Sequence, residues 1–533
     1  MAGPQVNPEG NLELELKFEL KPNDVRKLIR SSVIKVMQCE PLTRQTLRAI
    51  YFDTPDLKLS RRGVSLRVRQ ENRRYVQCVK SELGADKDLQ AAGGFTRNEW
   101  EWPARSAKLD LDTLKSDKAL KAVFKGVNVS KLQPIFSTDI RRQTRLLVTP
   151  GGARIKCDID QGRIISEDRE TPVNELELEL MSGDVAELLA LARMISDIVP
   201  ARLSMRTKAY RGFTLFLGQG HAWKRAEPLA LKESYSAEDV LLSAMLQGLR
   251  HLIHNEDCVL TRSSTEGVHQ MRVAMRRMRS LIATYKKLLA KGSYEPLSDL
   301  LNAAANELGP ARDWDVFLDE LLVPVEAEFE GAPELATLRE RAELRRRDGY
   351  ERADQLIASQ GYARLLTDVL YWAGSRAWRQ MTEGAEGHMP AARRMDEPAK
   401  KVGADVLARR HGRLIKAGTG LENLSAEQRH QLRIAVKKVR YASEFFQSLF
   451  PGKMTAPYIR ALRALQDNLG HLNDLSSAQT MMAELVKASR GAKAKELARA
   501  AELVEGWYAA AHKKREASLR KAWNAFTKAK AFW

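Results

Sequence analysis

Charged and apolar residues alternate one by one in several short stretches of the first 220 residues. Leu12-Glu-Leu-Glu-Leu-Lys17, Ser65-Leu-Arg-Val-Arg69, Arg154-Ile-Lys-Cys-Asp-Ile-Asp160 and Glu175-Leu-Glu-Leu-Glu-Leu180 all show the pattern. A period of two marks a strand with one charged and one apolar face, so these stretches read as strands. Turns such as Pro150-Gly-Gly152 separate some of them. Apolar spacing nearer 3.6 predicts helices near residues 22–37 and 183–198. Beyond about residue 232 the chain reads almost wholly as amphipathic helices broken at Gly and Pro. The expected fold is multidomain: an α+β part built on an antiparallel sheet, then an all-α part.

Composition places the boundary. All nine histidines lie from His221 onward, and Gly218-Gln-Gly-His-Ala-Trp-Lys-Arg-Ala-Glu-Pro228 carries Gly and Pro without periodicity. Residues 1–218 and 233–533 are therefore read as two regions joined by a linker at 219–232. A chain of 533 residues with 44% hydrophobic and 29% charged residues has enough apolar surface for sizeable cores. The net charge of +19 favours polyanionic partners, and both halves share it, with +8 (37 minus 29) over residues 1–220 and +11 (50 minus 39) beyond. Cys39, Cys78, Cys157 and Cys258 are widely spaced, which suits neither a disulfide framework nor a cysteine zinc site. No apolar run reaches about eighteen residues, and no basic-then-apolar leader opens the chain, so the expected location is cytoplasmic.

Alternation gathers Glu13, Glu15 and Lys17 on one strand face and Glu175, Glu177 and Glu179 on another. Same-face neighbours are only about 7 Å apart, so ionised carboxylates in a row need solvent or a cation, and a divalent metal suits. Other strands supply Arg67, Arg69, Lys80, Arg142 and Lys208. Any one such strand is ordinarily the wet face of a one-sided sheet. Several together, if closed with the charged side inward, make a polar tunnel suited to metal and polyphosphate.

These segments resemble the CYTH family, the triphosphate tunnel metalloenzymes. Glu13-x-Glu15-x-Lys17 looks like its E-x-E-x-K signature. Tyr51-Phe-Asp-Thr-Pro55, Leu66-Arg-Val-Arg69, Val79-Lys80, Arg97-Asn-Glu99, Asp158-Ile-Asp160, Glu175-Leu-Glu-Leu-Glu179 and Lys208-Ala-Tyr-Arg211 follow in family order. The resemblance implies an eight-stranded antiparallel β tunnel barrel that hydrolyses inorganic triphosphate to pyrophosphate and phosphate with Mg²⁺ or Mn²⁺, two ions being expected. It carries metal binding onto Glu13, Glu15, Glu177 and Glu179, with Asp158 as a further ligand. Phosphate contact falls on Lys17, Arg67, Arg69, Lys80, Arg142 and Lys208, and Lys17 and Lys208 join the metal glutamates as catalytic residues. Arg141 and Arg145 are alternatives to Arg142, because a register slip exchanges faces. Glu175 is expected at the tunnel mouth. Asp158 and Glu99 either help to place the second metal and the water or form ordinary ion pairs. The first region has no histidine before His221 and no Walker glycines, so neither imidazole base chemistry there nor a P-loop is indicated. A nucleotide substrate, and a phosphate-binding protein with little turnover, remain alternatives.

The helical part repeats itself. His269-Gln-Met-Arg-Val-Ala-Met-Arg-Arg-Met-Arg279 matches His430-Gln-Leu-Arg-Ile-Ala-Val-Lys-Lys-Val-Arg440, and Leu308-Gly-Pro-Ala-Arg-Asp313 matches Leu469-Gly-His-Leu-Asn-Asp474, both at an offset of 161 residues. Two related helical bundles, over about residues 235–385 and 395–530, are implied. His269, Arg272, Arg276 and Arg279, and in the second copy His430, Arg433, Lys437 and Arg440, recur at i, i+3, i+7 and i+10, one helix face each. These stretches resemble the CHAD family, the conserved-histidine α-helical domain, which implies that the eight residues contact inorganic polyphosphate and that the protein can associate with polyphosphate granules. Asp313 and Asp474 are expected to orient the cations rather than bind metal, and His411 beside Arg409-Arg410 is a further candidate for that surface. His221, His388 and His512 are read as incidental. No helix-turn-helix, RRM-like or zinc-finger pattern supports specific nucleic-acid recognition.

Overall fold

A computed structural model describes residues 5–6, 14–81, 98–218, 220–290, 292–380, 394–510 and 512–533. The chain divides into two compact units, residues 1–222 with 358–377, and residues 223–357 with 378–533.

The first unit is one antiparallel sheet with strands β1 (Gln5–Val6), β2 (Glu15–Glu19), β3 (Thr43–Asp53), β4 (Val64–Glu71), β5 (Arg74–Ser81), β6 (Asn98–Ala104), β7 (Gln133–Val148), β8 (Arg154–Ser166), β9 (Arg169–Ser182) and β10 (Arg202–Leu203). Their order is β1-β6-β5-β4-β3-β7-β8-β9-β2-β10. The eight longer strands are those the tunnel reading expects. The ladder does not close into a barrel among the described residues: two-residue strands occupy both edges, β1 on β6 and β10 on β2, where a closing pair would form. All eight longer strands nevertheless turn side chains into a single cavity. Alternation puts the apolar partners on the other face, where Phe18, Ile155, Cys157, Ile159, Leu176 and Leu178 are fully buried.

The helix expected near residues 22–37 is two, Pro22–Arg30 and Ser32–Met37. Ser31 breaks it by adopting an extended conformation and capping the second helix through its side chain, which accepts from the Ile34 N–H. The helix expected near 183–198 begins at Val185 behind an Asp184 N-cap. It packs against Gln360–Gly374, a helix from the sequence region expected to be wholly part of the second unit. Arg193 bonds Asp368 at 2.6 Å there, and Arg364 pairs with both Asp197 and Asp368.

From Ala237 onward the described residues of the second unit are mostly helical. The repeated segments are the helices Glu266–Tyr285 and Ala426–Phe446. Met271, Met275 and Met278 in one copy and Leu432, Val436 and Val439 in the other are buried at equivalent positions, so the repeat is kept in the packing. Between Gly309–Val316 and Val323–Glu328 the chain makes a π-helical turn, Phe317–Leu322, just before Pro324, which has no N–H to give to an α-helical ladder. No helix among the described residues is long and apolar enough to cross a membrane.

Candidate functional site

Register assembles the charged lining of the cavity. On one side of β9, Glu179, Glu177 and Glu175 lie opposite Glu15, Lys17 and Glu19 of β2. On the other side they lie opposite Lys156, Asp158 and Asp160 of β8, and β7 then adds Thr144 across from Asp158 and Arg142 across from Asp160. Cross-strand partners share a face, so these side chains converge. Lys17 Nζ reaches Glu177 at 2.8 Å and Glu15 at 3.6 Å. Arg142 binds Asp158, Asp160 and Glu177, each at 2.7 Å. Lys208, the first residue of the helix Lys208–Leu217, binds Glu175 at 2.6 Å, Asp160 at 2.8 Å and Glu177 at 3.0 Å.

Burial works against charge here, and the neighbours overcome it. Burial alone would raise the Glu177 carboxyl, but Lys17, Lys208 and Arg142 hold it well below the usual carboxylate range. Burial would likewise lower the Lys17 ammonium, yet Glu177 and Glu15 raise it, and Asp160, Glu175 and Glu177 do the same for Lys208. All three groups are therefore charged near neutral pH.

The opposite wall comes from β4, β5 and β6. Lys80 pairs with Glu99 at 2.8 Å, and Arg69 pairs with Glu71 and with Glu101, the latter at 3.3 Å. Against burial, Lys80 lowers Glu99 to about 2. Arg67 differs: its described side-chain bond is to the Tyr51 hydroxyl at 3.3 Å, and its Nε is buried without an acceptor. Charged groups from both walls and Lys208 surround a cavity of about 330 Å³.

In the helical unit the two copies of the repeat meet. Arg276 Nε donates to the Tyr441 hydroxyl at 2.6 Å, and Arg440 lies over the same ring at 4.6 Å. Glu444 accepts from Arg277 and, at 3.0 Å, from Arg440. Arg272 donates to the Ala305 carbonyl at 3.1 Å, and the Asp313 carboxylate favours its charged form against burial. Burial, reinforced by Arg312, pushes His269 down to about 4, so it is neutral at pH 7.

Residues 11–213 match the CYTH domain family, and residues 243–483 match the CHAD domain family. The chain joins a CYTH domain to a CHAD domain. Its N-terminal part is 32% identical over 167 residues to an inorganic triphosphatase of Haemophilus influenzae (strain ATCC 51907 / DSM 11121 / KW20 / Rd), a match covering 31% of this chain and 44% of that protein. An uncharacterized protein of Mycobacterium tuberculosis (strain CDC 1551 / Oshkosh) is 26% identical over 465 residues, covering 79% of this chain and 85% of the relative. The crystal structure of the CHAD domain from the plant Ricinus communis aligns with a TM-score of 0.50 at 28% identity, over 58% of this chain and 99% of that one.

Within the CYTH domain, Glu15, Lys17, Arg67, Arg69, Lys80, Arg142, Asp158, Glu177, Glu179 and Lys208 all line the cavity, as does Glu99. Glu13 and Arg97 lie outside the described residues. Arg142 rather than Arg141 or Arg145 faces inward. Glu175 is not at an open mouth: it is fully buried, closed over by Lys208 and by Arg211 at 2.7 Å. Lys156, Asp160 and Glu101 also line the cavity, and Lys156 bonds Glu179 at 3.0 Å. The alternation Lys156-x-Asp158-x-Asp160 is the sequence signal for the first two of these. The carboxylates of Asp160, Glu175 and Glu177 come within 4.8 Å of one another, and so do the ligand atoms of Cys78, Glu99 and Glu101. An all-oxygen donor set of the first kind fits a hard divalent cation.

In the CHAD domain the Tyr441 contacts bring together Arg276 and Arg440 of the expected face. Arg279 sits beside Asp299, and His430 is exposed. His411 is instead packed among Tyr458, Phe526 and Trp533, its Nδ1 2.9 Å from the Tyr458 hydroxyl. The side chains of Asp474 and His512, and all of His388, lie outside the described residues.

Proposed function

We propose that the CYTH tunnel hydrolyses inorganic triphosphate to pyrophosphate and phosphate with a divalent metal, and that the basic face of the CHAD domain binds inorganic polyphosphate. Arg67 is the observation that carries the first half. It is a buried guanidinium in a cavity rich in paired charges, yet among the described residues its acceptor is a neutral hydroxyl and its Nε has none, so a phosphate oxygen is the partner that suits it.

Lys17, Arg69, Lys80, Arg142 and Lys208 share in holding the substrate. A triphosphate entering the tunnel competes with Glu177, Asp158 and Asp160 for Lys17, Arg142 and Lys208. Carboxylates released in this way, with Glu15 and Glu179, are the ones that would hold Mg²⁺ or Mn²⁺. Such an ion, when bound, neutralises phosphate charge and lowers the pKa of a bound water. The lysines, held protonated, act as fixed charges that stabilise the departing phosphate rather than as bases. No histidine is among the cavity-lining residues.

Tyr51 favours an inorganic substrate over a nucleotide. It is the aromatic residue among the described lining, but it is only 3% exposed and one face of its ring is stacked on Phe136 with centroids 4.4 Å apart, so it offers little surface on which a base could stack.

Phosphate release from triphosphate, ATP and thiamine triphosphate, each with Mg²⁺, Mn²⁺ or EDTA, tests the reading. EDTA-sensitive hydrolysis of triphosphate alone is expected. Silence on all three from folded protein would leave a phosphate-binding scaffold. Faster hydrolysis of ATP would move the assignment to nucleotides.

A further inference from the structure

The outer face of the β3–β7 pair carries cations that the tunnel does not use. Register sets Arg44 of β3 opposite Gln143 of β7. Arg141 and Arg145, two positions to either side of Gln143, are therefore its diagonal neighbours on the same face, roughly 7–8 Å away in such a ladder. This face is the reverse of the tunnel wall, since Arg142 and Thr144 point the other way, onto Asp160 and Asp158. Arg44 and Arg141 are exposed, whereas Arg145 is only 5% exposed.

Among the described residues none of the three meets a carboxylate at ion-pair distance. Arg145 Nη2 donates to Gln143 Oε1 at 3.2 Å, and its Nη1 is buried with no acceptor. Burial, with the nearby charge of Arg44, depresses the Arg145 guanidinium, and only the Cys157 thiol opposes them. A buried guanidinium with an idle donor and like charge beside it is unfavourable until an anion completes it. A tetrahedral oxyanion has acceptors enough for the idle Nη1 and for two arginines closing from solvent.

We propose that Arg44, Arg141 and Arg145 form a phosphate-binding site on the outside of the CYTH sheet, separate from the tunnel. The ligand is a phosphate oxyanion, free as orthophosphate or at the end of a polyphosphate chain. Arg145 Nη1 holds it from beneath, and Arg44 and Arg141 hold it from the solvent side.

A local reporter is available in the chain. Cys39 is exposed while the other three cysteines are buried, and its backbone N–H donates to the carbonyl of Leu146, the residue after Arg145, at 3.0 Å. Full-length protein carrying an environment-sensitive fluorophore on Cys39 is titrated with orthophosphate and, separately, with a polyphosphate of defined length. A saturable emission change is expected that survives Arg67→Gln, is lost in Arg145→Met, and weakens at least about tenfold in Arg44→Gln/Arg141→Gln, on the order of one charge-assisted hydrogen bond. Response to orthophosphate assigns the site to the free ion, and response to polyphosphate alone assigns it to a chain end. No response to either, or an unaltered response in Arg44→Gln/Arg141→Gln, overturns the proposal. Because that pair is exposed, it keeps the test decisive even where Arg145→Met does not fold.

Discussion

Arg276 and Tyr441 tie the two copies of the CHAD repeat together: the guanidinium of the first copy donates to the phenol of the second at 2.6 Å. The contact joins equivalent helices that are 161 residues apart in sequence, and Arg440 shares the same ring. Tyr441→Phe keeps the ring but removes the acceptor, and should cost about 1–2 kcal/mol in urea unfolding. Burial would raise the phenol, but Arg276 and Arg440 draw it below its ordinary value. In an absorbance titration Tyr441 should therefore ionise before Tyr285, Tyr350 and Tyr458, all raised by burial, and Tyr441→Phe should delete that first step.

Arg67 should separate stability from activity. Among the described residues its hydrogen-bond acceptor is the Tyr51 hydroxyl, with the Glu99 carboxylate as a weaker counter-charge, so Arg67→Met should change the melting temperature little. Triphosphate hydrolysis should fall by about two orders of magnitude as one stabilising cation is lost. A lower melting temperature with undiminished hydrolysis would make Arg67 structural.

The Lys80–Glu99 pair gives a pH test with a definite sign. Glu99 is depressed to about 2 in the folded chain, while an unfolded glutamate titrates near 4.3. Its contribution is therefore complete above about pH 4.3 and is lost as pH falls through about 2. Glu99→Gln should cost about 1–3 kcal/mol at pH 6, and the gap to wild type should narrow steadily between pH 4 and pH 2 in denaturant titrations. A gap independent of pH would show that packing, not charge, sets the cost.

Asn255 fixes the segment that opens the helical unit. Its side chain accepts from the Lys224 N–H at 3.0 Å and donates to the Lys224 carbonyl at 3.0 Å and to His251 O at 2.8 Å. His251 Nε2 lies 3.1 Å from the same Lys224 carbonyl, and burial pushes this histidine down to about 4. Asn255→Ala should cost about 1–2 kcal/mol, since it strips hydrogen-bond partners from the partly buried backbone amide and carbonyl of Lys224. Hydrogen exchange at Lys224 should quicken in parallel.

How much of this was readable beforehand depends on whether local pattern or long-range pairing decides. The period-two runs located the strands and their wet faces, because side-chain direction in a strand is a local property. Glu175 was misplaced because three glutamates in alternation look alike until register sets one under Lys208 and Arg211. Arg142, Arg141 and Arg145 could not be told apart for the same reason, and the pairing Arg142 with Asp160 decides it. The break at Ser31 had a local signal, a serine three residues before Ile34, that the apolar spacing masked. His411 lay in a basic run, yet its surroundings are aromatic side chains from distant helices, which no local pattern carries.

The CHAD face offers the last test. Arg272 and Arg433 are equivalent positions at the repeat offset, and the helices that carry them meet through Tyr441, so under the proposed polyphosphate binding both copies are expected to contribute contacts. Each phosphate contact releases condensed counterions, so affinity should fall linearly with the logarithm of salt, with a slope set by the number of contacts. Arg272→Ala/Arg433→Ala should weaken polyphosphate binding and reduce that slope by roughly two, about one for each contact removed. Triphosphate hydrolysis should be unchanged, because neither residue lines the tunnel. An unchanged slope at reduced affinity would mean that the arginines organise the helix face without touching the polyanion.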